Sequence, residues 1–168
     1  MAAEPIDKGG DSTAIHFRDA AALQSLVASE YGDWSDKVTV DQAMINEFAE
    51  LTGDHQWIHV DIERCAKESP FGTTIAHGFL VLSLQPKMAG AGGAVGRIEG
   101  YANILNYGSN KLRFTGAVPV DSQIHQRSRV KSIDVQDHKT TLTLETNIHV
   151  VGQDERPAVV YELMIVLM

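Results

Sequence analysis

Up to about residue 95, the apolar residues of the chain recur at the spacing of amphipathic helices. This spacing predicts a short helix over residues 19–30 and a second helix that Asp41 caps and Gly53 ends. A third short helix is predicted after Asp61, which is typical of a helix N-cap. A short strand is predicted over residues 37–40, between the first two helices.

The most apolar helix is predicted over residues 77–89, with leucine, valine and methionine on most of its surface. Pro86 lies in its C-terminal part and predicts a kink or an early end there. A helix that is apolar on most sides requires burial on most sides. We therefore expect this helix to form the centre of the fold.

After residue 95, apolar and polar residues alternate, which indicates strands. The clearest alternation spans residues 140–151 and puts Leu142, Ile148 and Val150 on one face. Other strands are predicted over 98–107, 110–114, 122–133 and 158–167, with a hairpin turn at 152–155. Helices early and antiparallel strands late indicate an α+β domain, in which a sheet wrapped around the long helix is permitted but not selected.

Composition limits the classes of function. The chain has 168 residues and a formal net charge of -8, so it lacks the basic surface that nucleic-acid binding requires. No apolar stretch approaches the length of a membrane span, and one cysteine cannot form an internal disulfide, which fits a cytoplasmic protein. We expect a flexible tail over residues 1–16 and one domain over residues 17–168.

An acid and a histidine stand out between two predicted helices. Asp54 and His59 are five residues apart and follow Gly53, so in a loop their side chains can converge, whereas on one helix they would diverge. Such a pair can polarise a water molecule and transfer protons near neutral pH. The alternative is that Asp54 caps a turn and His59 is a half-buried structural histidine.

The residues around this pair form an ordered set that resembles the hydratase 2 family, the MaoC-like (R)-specific enoyl-CoA hydratases. The subgroup that it resembles has the QWIH motif and includes nodulation protein N-like proteins. The matching segments are Phe48-Ala49, Thr52-Gly53-Asp54, Trp57 to Asp61, Arg64 and Ile75 to Gly78. The resemblance implies a hotdog fold, a homodimer, and Asp54 and His59 as the catalytic pair.

Other candidate site residues surround the pair. Gly78 begins the apolar helix, where a free backbone amide could stabilise a thioester oxyanion, as the resemblance also implies; the alternative is that Gly78 permits close packing. We expect His77 to bond to backbone and border the substrate. Gln56 and Asn106 are further candidates for substrate binding.

Three functions are compatible with the sequence. The first is reversible hydration of trans-2-enoyl-CoA, or of an acyl-carrier-protein thioester, to the (3R)-3-hydroxyacyl form. The second is a hotdog thioesterase, which is disfavoured because residues 77–91 contain no Asp or Glu. The third is a non-catalytic acyl-thioester binding module or a subunit of a heteromeric dehydratase. We expect no cofactor, no metal, and no nucleic-acid or membrane partner.

Overall fold

A computed structural model describes residues 14–89 and 95–168. The early part of the chain is mainly helical and the later part is a sheet. The helices are α1 (Ala20–Gln24), α2 (Gln42–Thr52), α3 (Trp57–Val60), α4 (Ile62–Glu68), α5 (Gly78–Ser83) and α6 (Gln85–Met88), and a single 3-10 turn spans Val95–Arg97. No helix among the described residues is both long and apolar enough to cross a bilayer.

Five strands form one antiparallel sheet in the order β2-β5-β6-β7-β4. Two further short strands, β1 and β3, pair in parallel outside it. The strands are β1 (Ile15–His16), β2 (Val38–Val40), β3 (Ile98–Glu99), β4 (Ile104–Phe114), β5 (Ser122–Gln136), β6 (Lys139–Val150) and β7 (Val159–Leu167).

One face of the sheet packs on α5 and α6. Leu80, Val81 and Met88 from these helices join Ile124 and Ile148 from the sheet in one buried cluster. A second buried cluster forms where α1, β1 and β3 cover the other end of the same face. This α+β arrangement, a sheet packed over an apolar helix, is the predicted hotdog fold.

Several local predictions are confirmed by the structure. The Asp41 and Asp61 side chains accept hydrogen bonds from the backbone at the starts of α2 and α4, and Gly53 ends α2 with φ of 77°. The central helix is interrupted at Leu84, before Pro86, so that α5 and α6 follow each other as two pieces.

Other predictions need correction. The predicted loop over residues 54–60 contains the short helix α3, and the first helix is shorter than expected. Residues 104–114 form one continuous strand where a break at residues 108–109 was predicted, and two irregularities in register lie at this point. Residues 1–13 of the predicted tail lie outside the described residues, and regular structure begins at Ile15, before the predicted boundary at residue 17.

Candidate active site

The end of α2 positions Asp54. Because Gly53 adopts the left-handed conformation, the chain turns sharply and presents Asp54 beyond the helix. The Thr52 hydroxyl accepts a hydrogen bond from the Asp54 backbone N–H at 3.4 Å, and the Asp54 carboxylate accepts one from the Gln56 N–H at 3.4 Å. The carboxylate itself is about half exposed, so it is open to a ligand or to water.

His59 lies on α3 and is buried. Its Nδ1 lies 2.7 Å from the carbonyl oxygen of Ile75. A carbonyl only accepts hydrogen bonds, so Nδ1 carries the proton. In the neutral ring Nε2 is therefore the unprotonated nitrogen, and it is available to accept a proton or a hydrogen bond.

A set of hydrogen bonds that the sequence analysis did not predict holds His59 in place. The Gln42 amide donates to the backbone carbonyl of His59 at 2.8 Å, and the Thr74 hydroxyl donates to the Gln42 Oε1 at 2.6 Å. The Ile75 N–H donates to the Ile58 carbonyl at 3.1 Å. Together these bonds fix α3 against the segment that leads into α5. The signal in the sequence was a glutamine at the first position of a predicted helix, which by itself indicates nothing.

His77 bonds to backbone, as predicted. Its Nε2 donates to the Asp54 backbone carbonyl at 2.9 Å, and its ring stacks on His59 with centroids 3.8 Å apart. The Phe48 ring also lies beside the His77 ring, with centroids 5.1 Å apart. Because it contacts both residues, His77 helps to set the distance between Asp54 and His59.

The structure brings the predicted acid and histidine together. Side-chain polar atoms of Asp54, His59 and His77 all lie within 4.8 Å of one another. Among the described residues this is the single group whose spacing could hold a metal ion. One ring nitrogen of each imidazole already donates a hydrogen bond to a backbone carbonyl. The arrangement suits proton transfer with a bound water molecule as well as it suits a metal ion.

The electrostatics of the cluster favour a neutral His59. Burial lowers the pKa of His59, and the positive charge that His77 would carry lowers it further. The Ile75 carbonyl and the Asp54 carboxylate act in the opposite direction, but burial has the larger effect. His59 is therefore available as a proton acceptor at neutral pH.

Gly78 is the first residue of α5, directly after His77. A Cβ atom added there would lie 2.7 Å from the Phe114 ring, which is closer than real contacts allow. Close packing against β4 is therefore one reason for this glycine. As the first residue of the helix, Gly78 also has a backbone N–H without a partner inside the helix.

The remaining candidates lie apart from one another. Gln56 precedes α3 and is exposed at the edge of the cluster. Asn106 lies on β4 and lines a separate cavity together with Gln126 and Pro86. Gln56 thus adjoins Asp54 and Asn106 lines a different cavity, and substrate binding by either residue stays a prediction.

The lowered pKa of His59 predicts its titration. We expect the His59 ring resonances to titrate with a midpoint below the ordinary histidine value of about 6.5. The contribution of His59 to the free energy of unfolding is then complete above the ordinary histidine value of about 6.5. It is lost as the pH falls from there through the lower folded-state pKa. NMR titration of the histidine rings measures the midpoint, and the His59→Gln spectrum assigns the resonance. A midpoint at or above the ordinary value would contradict this account of the site.

Comparison with known proteins identifies the family. The model of the MaoC like domain matches residues 27–153. The chain is 40% identical over 150 residues to 3-hydroxyacyl-thioester dehydratase Z of Mycobacterium tuberculosis, covering 89% of this chain and 95% of that protein. It is 44% identical over 113 residues to nodulation protein N of Rhizobium meliloti, covering 67% and 68%.

Solved structures show the same fold. The (R)-hydratase from A. caviae that is involved in PHA biosynthesis superposes with a TM-score of 0.62 and 24% identity, covering 82% of this chain and 96% of that chain. At this identity the likeness shows the shared fold. With the domain match over residues 27–153, it follows that this chain belongs to the MaoC-like dehydratase family.

Proposed function

We propose that this protein is a lyase that reversibly hydrates trans-2-enoyl-CoA to (3R)-3-hydroxyacyl-CoA in the cytoplasm. The observation that carries the proposal is the convergence of Asp54 and His59 within 4.8 Å, with the His59 Nε2 unprotonated. The 40% identical dehydratase acts, by its name, on 3-hydroxyacyl thioesters, which supports this substrate class. The (3R) configuration follows from the family resemblance.

The pair is suited to activating one water molecule. In the proposed step, the water lies between the Asp54 carboxylate and the His59 Nε2, each of which can accept one of its hydrogen bonds. As the water oxygen bonds to the β-carbon, its proton passes to Nε2, and the electrons of the double bond move toward the thioester carbonyl. The imidazolium then returns a proton to the α-carbon, so the sum is the addition of one water. Asp54 stabilises the transient imidazolium and orients the water.

Negative charge on the thioester oxygen needs a partner during this step. The backbone N–H of Gly78, at the start of α5, is the donor that we assign to it. The Phe114 ring lies against the Cα side of Gly78.

The first prediction of this proposal concerns the pair itself. Loss of the enoyl-thioester absorbance with crotonyl-CoA measures hydration, and we expect Asp54→Asn and His59→Gln each to lower kcat about 10²–10⁴-fold, as typical for loss of one acid–base group. The matched control is His55→Gln. His55 adjoins Asp54 but is exposed and faces Glu50 at 3.7 Å, so its loss should leave the rate nearly unchanged.

Thiol release, followed in parallel with a sulfhydryl reagent, separates the alternatives. Release of free coenzyme A in step with substrate loss would indicate a thioesterase. A folded protein that binds enoyl-CoA but changes neither signal would instead be a binding module or a subunit that needs a partner.

A second prediction tests the close packing of Gly78 against Phe114. Gly78→Ala keeps the backbone N–H but brings its Cβ against the Phe114 ring, so we expect a lower hydration rate. Adding Phe114→Ala removes the clash and should restore part of the rate. If the double variant is as impaired as Gly78→Ala while remaining folded, the clash with Phe114 is not the cause.

We also propose that the active form is a homodimer built on β4. This strand ends the sheet, and Ile104, Leu105, Tyr107 and Phe114 on it are all exposed apolar residues. An exposed apolar edge strand of this length calls for a partner, and a second copy can continue the sheet. Phe114 on the same strand touches Gly78, so the interface would adjoin the site.

Light scattering after size-exclusion chromatography tests the dimer. We expect Tyr107→Lys, which puts a charge on the 67% exposed ring position of β4, to give a monomer. The control is Leu51→Lys on α2, a leucine that is 83% exposed and distant from the edge strand in sequence. A wild-type monomer, or a Tyr107→Lys dimer, would contradict the proposed interface.

A further inference from the structure

The side chain of Gln42 joins α2 to two other segments of the chain. Because the Asp41 side chain caps α2, the helix begins at Gln42 in a defined position. From there the carboxamide bonds to the backbone of His59, 17 residues further along the chain, and to the side chain of Thr74, 32 residues further along. One side chain thus links three segments that meet at the candidate site.

The hydrogen bonds of this carboxamide fix its orientation. The Nε2 donates one hydrogen to the His59 carbonyl at 2.8 Å and the other to the Asn46 Oδ1 at 2.8 Å, and the Oε1 accepts from the Thr74 hydroxyl at 2.6 Å. A flipped amide would put its oxygen against the His59 carbonyl oxygen, and neither can donate. Thr74 is fully buried, so its hydroxyl cannot exchange this partner for bulk water.

Gln42 holds the backbone of His59 and also the segment that binds the His59 ring. Thr74 directly precedes Ile75, whose carbonyl accepts from the His59 Nδ1 at 2.7 Å. The position of the ring therefore depends on the distance between the His59 backbone and the Ile75 carbonyl. Since Gln42 connects these two places, loss of its amide would change that distance and move the Nε2.

The two segments differ in how well they are held by other bonds. The Val120 N–H donates to the Thr74 carbonyl at 3.0 Å, and the Ala76 N–H donates to the Val118 carbonyl at 2.8 Å, so residues 74–76 are attached to the chain before β5. By contrast, α3 has only four residues, too few to stabilise a helix alone. We therefore expect α3, which carries His59, to be the part that moves when the Gln42 bond is lost.

We propose that Gln42 and Thr74 are positioning residues for the hydration, which act through His59 and not on the substrate. The inference rests on the proposed function in this respect. Both amide hydrogens of Gln42 and the hydroxyl hydrogen of Thr74 are already used within the protein. The effect of these residues should therefore appear in kcat, because a shift of about 1 Å in a catalytic group can cost about 10²-fold in rate.

Steady-state hydration of crotonyl-CoA tests this inference. We expect Gln42→Met, which keeps the length of the side chain but removes the amide, to lower kcat about 10–10²-fold and to change KM less than about twofold. Thr74→Val should lower kcat by a smaller factor, whereas Thr74→Ser, which keeps the hydroxyl, should retain it. Because Thr74 acts through Gln42, the double variant Gln42→Met/Thr74→Val should be no slower than Gln42→Met alone.

Matched substitutions elsewhere in the chain serve as controls. Gln123→Met makes the same change at an exposed position of β5, and Thr143→Val makes the same change at another buried threonine, on β6. Both should keep the wild-type kcat. If Gln42→Met does not fold, Thr74→Val beside Thr74→Ser carries the test. A wild-type kcat in folded Gln42→Met, a loss confined to KM, or losses that multiply in the double variant would each overturn the inference.

The position of His59 can also be followed without the reaction. In wild type, the proton between the His59 Nδ1 and the Ile75 carbonyl is buried and should give a slowly exchanging ring N–H resonance, which His59→Gln assigns. Gln42→Met should shift this resonance and speed its exchange, whereas Gln123→Met should not. If wild type hydrates no enoyl thioester, this response would still support the positioning of His59 by Gln42. An unchanged resonance in folded Gln42→Met would overturn it.

Discussion

The hydrogen bond from the His59 Nδ1 to the Ile75 carbonyl is the interaction on which the site depends. It determines which nitrogen carries the proton, and so which nitrogen is free to act. It also ties the short helix α3 to the segment before α5, together with the backbone hydrogen bond from the Ile75 N–H to the Ile58 carbonyl. Gln42 and Thr74 complete this attachment from α2, so three elements define one ring position.

The segment that contains Ile75 also connects the candidate site to the central helix α5. Two residues after Ile75, His77 donates a hydrogen bond to the Asp54 backbone carbonyl, and Gly78 begins α5. The apolar side of the helix is buried against the sheet through Leu80 and Val81, close to its first residue. The geometry of the candidate site is therefore tied to the packing of the core, although the Asp54 carboxylate is open to solvent.

The parts of the fold that could be predicted are those that local chemistry determines. Asp41 and Asp61 cap helices, Gly53 ends one, and Pro86 interrupts another, because each effect acts within one turn. The convergence of Asp54 and His59 was predictable once a loop was assumed. The short helix α3 was not, because four residues cannot stabilise a helix alone and tertiary bonds do so here.

The burial of polar residues was harder to predict. An alternating pattern shows which residues share a face of the sheet, but not which segments cover that face. In the alternation of β6, His149 falls on the face opposite Ile148 and Val150, yet it is buried, with its ring centroid 5.1 Å from that of Trp34. Gln126 shares its face with Ile124, but its polarity gave no sign that the face would be covered by α6. In both cases a distant segment supplies the burial. A glutamine that remains inside such a core must find a partner for its amide, and the sequence shows only half of that pair.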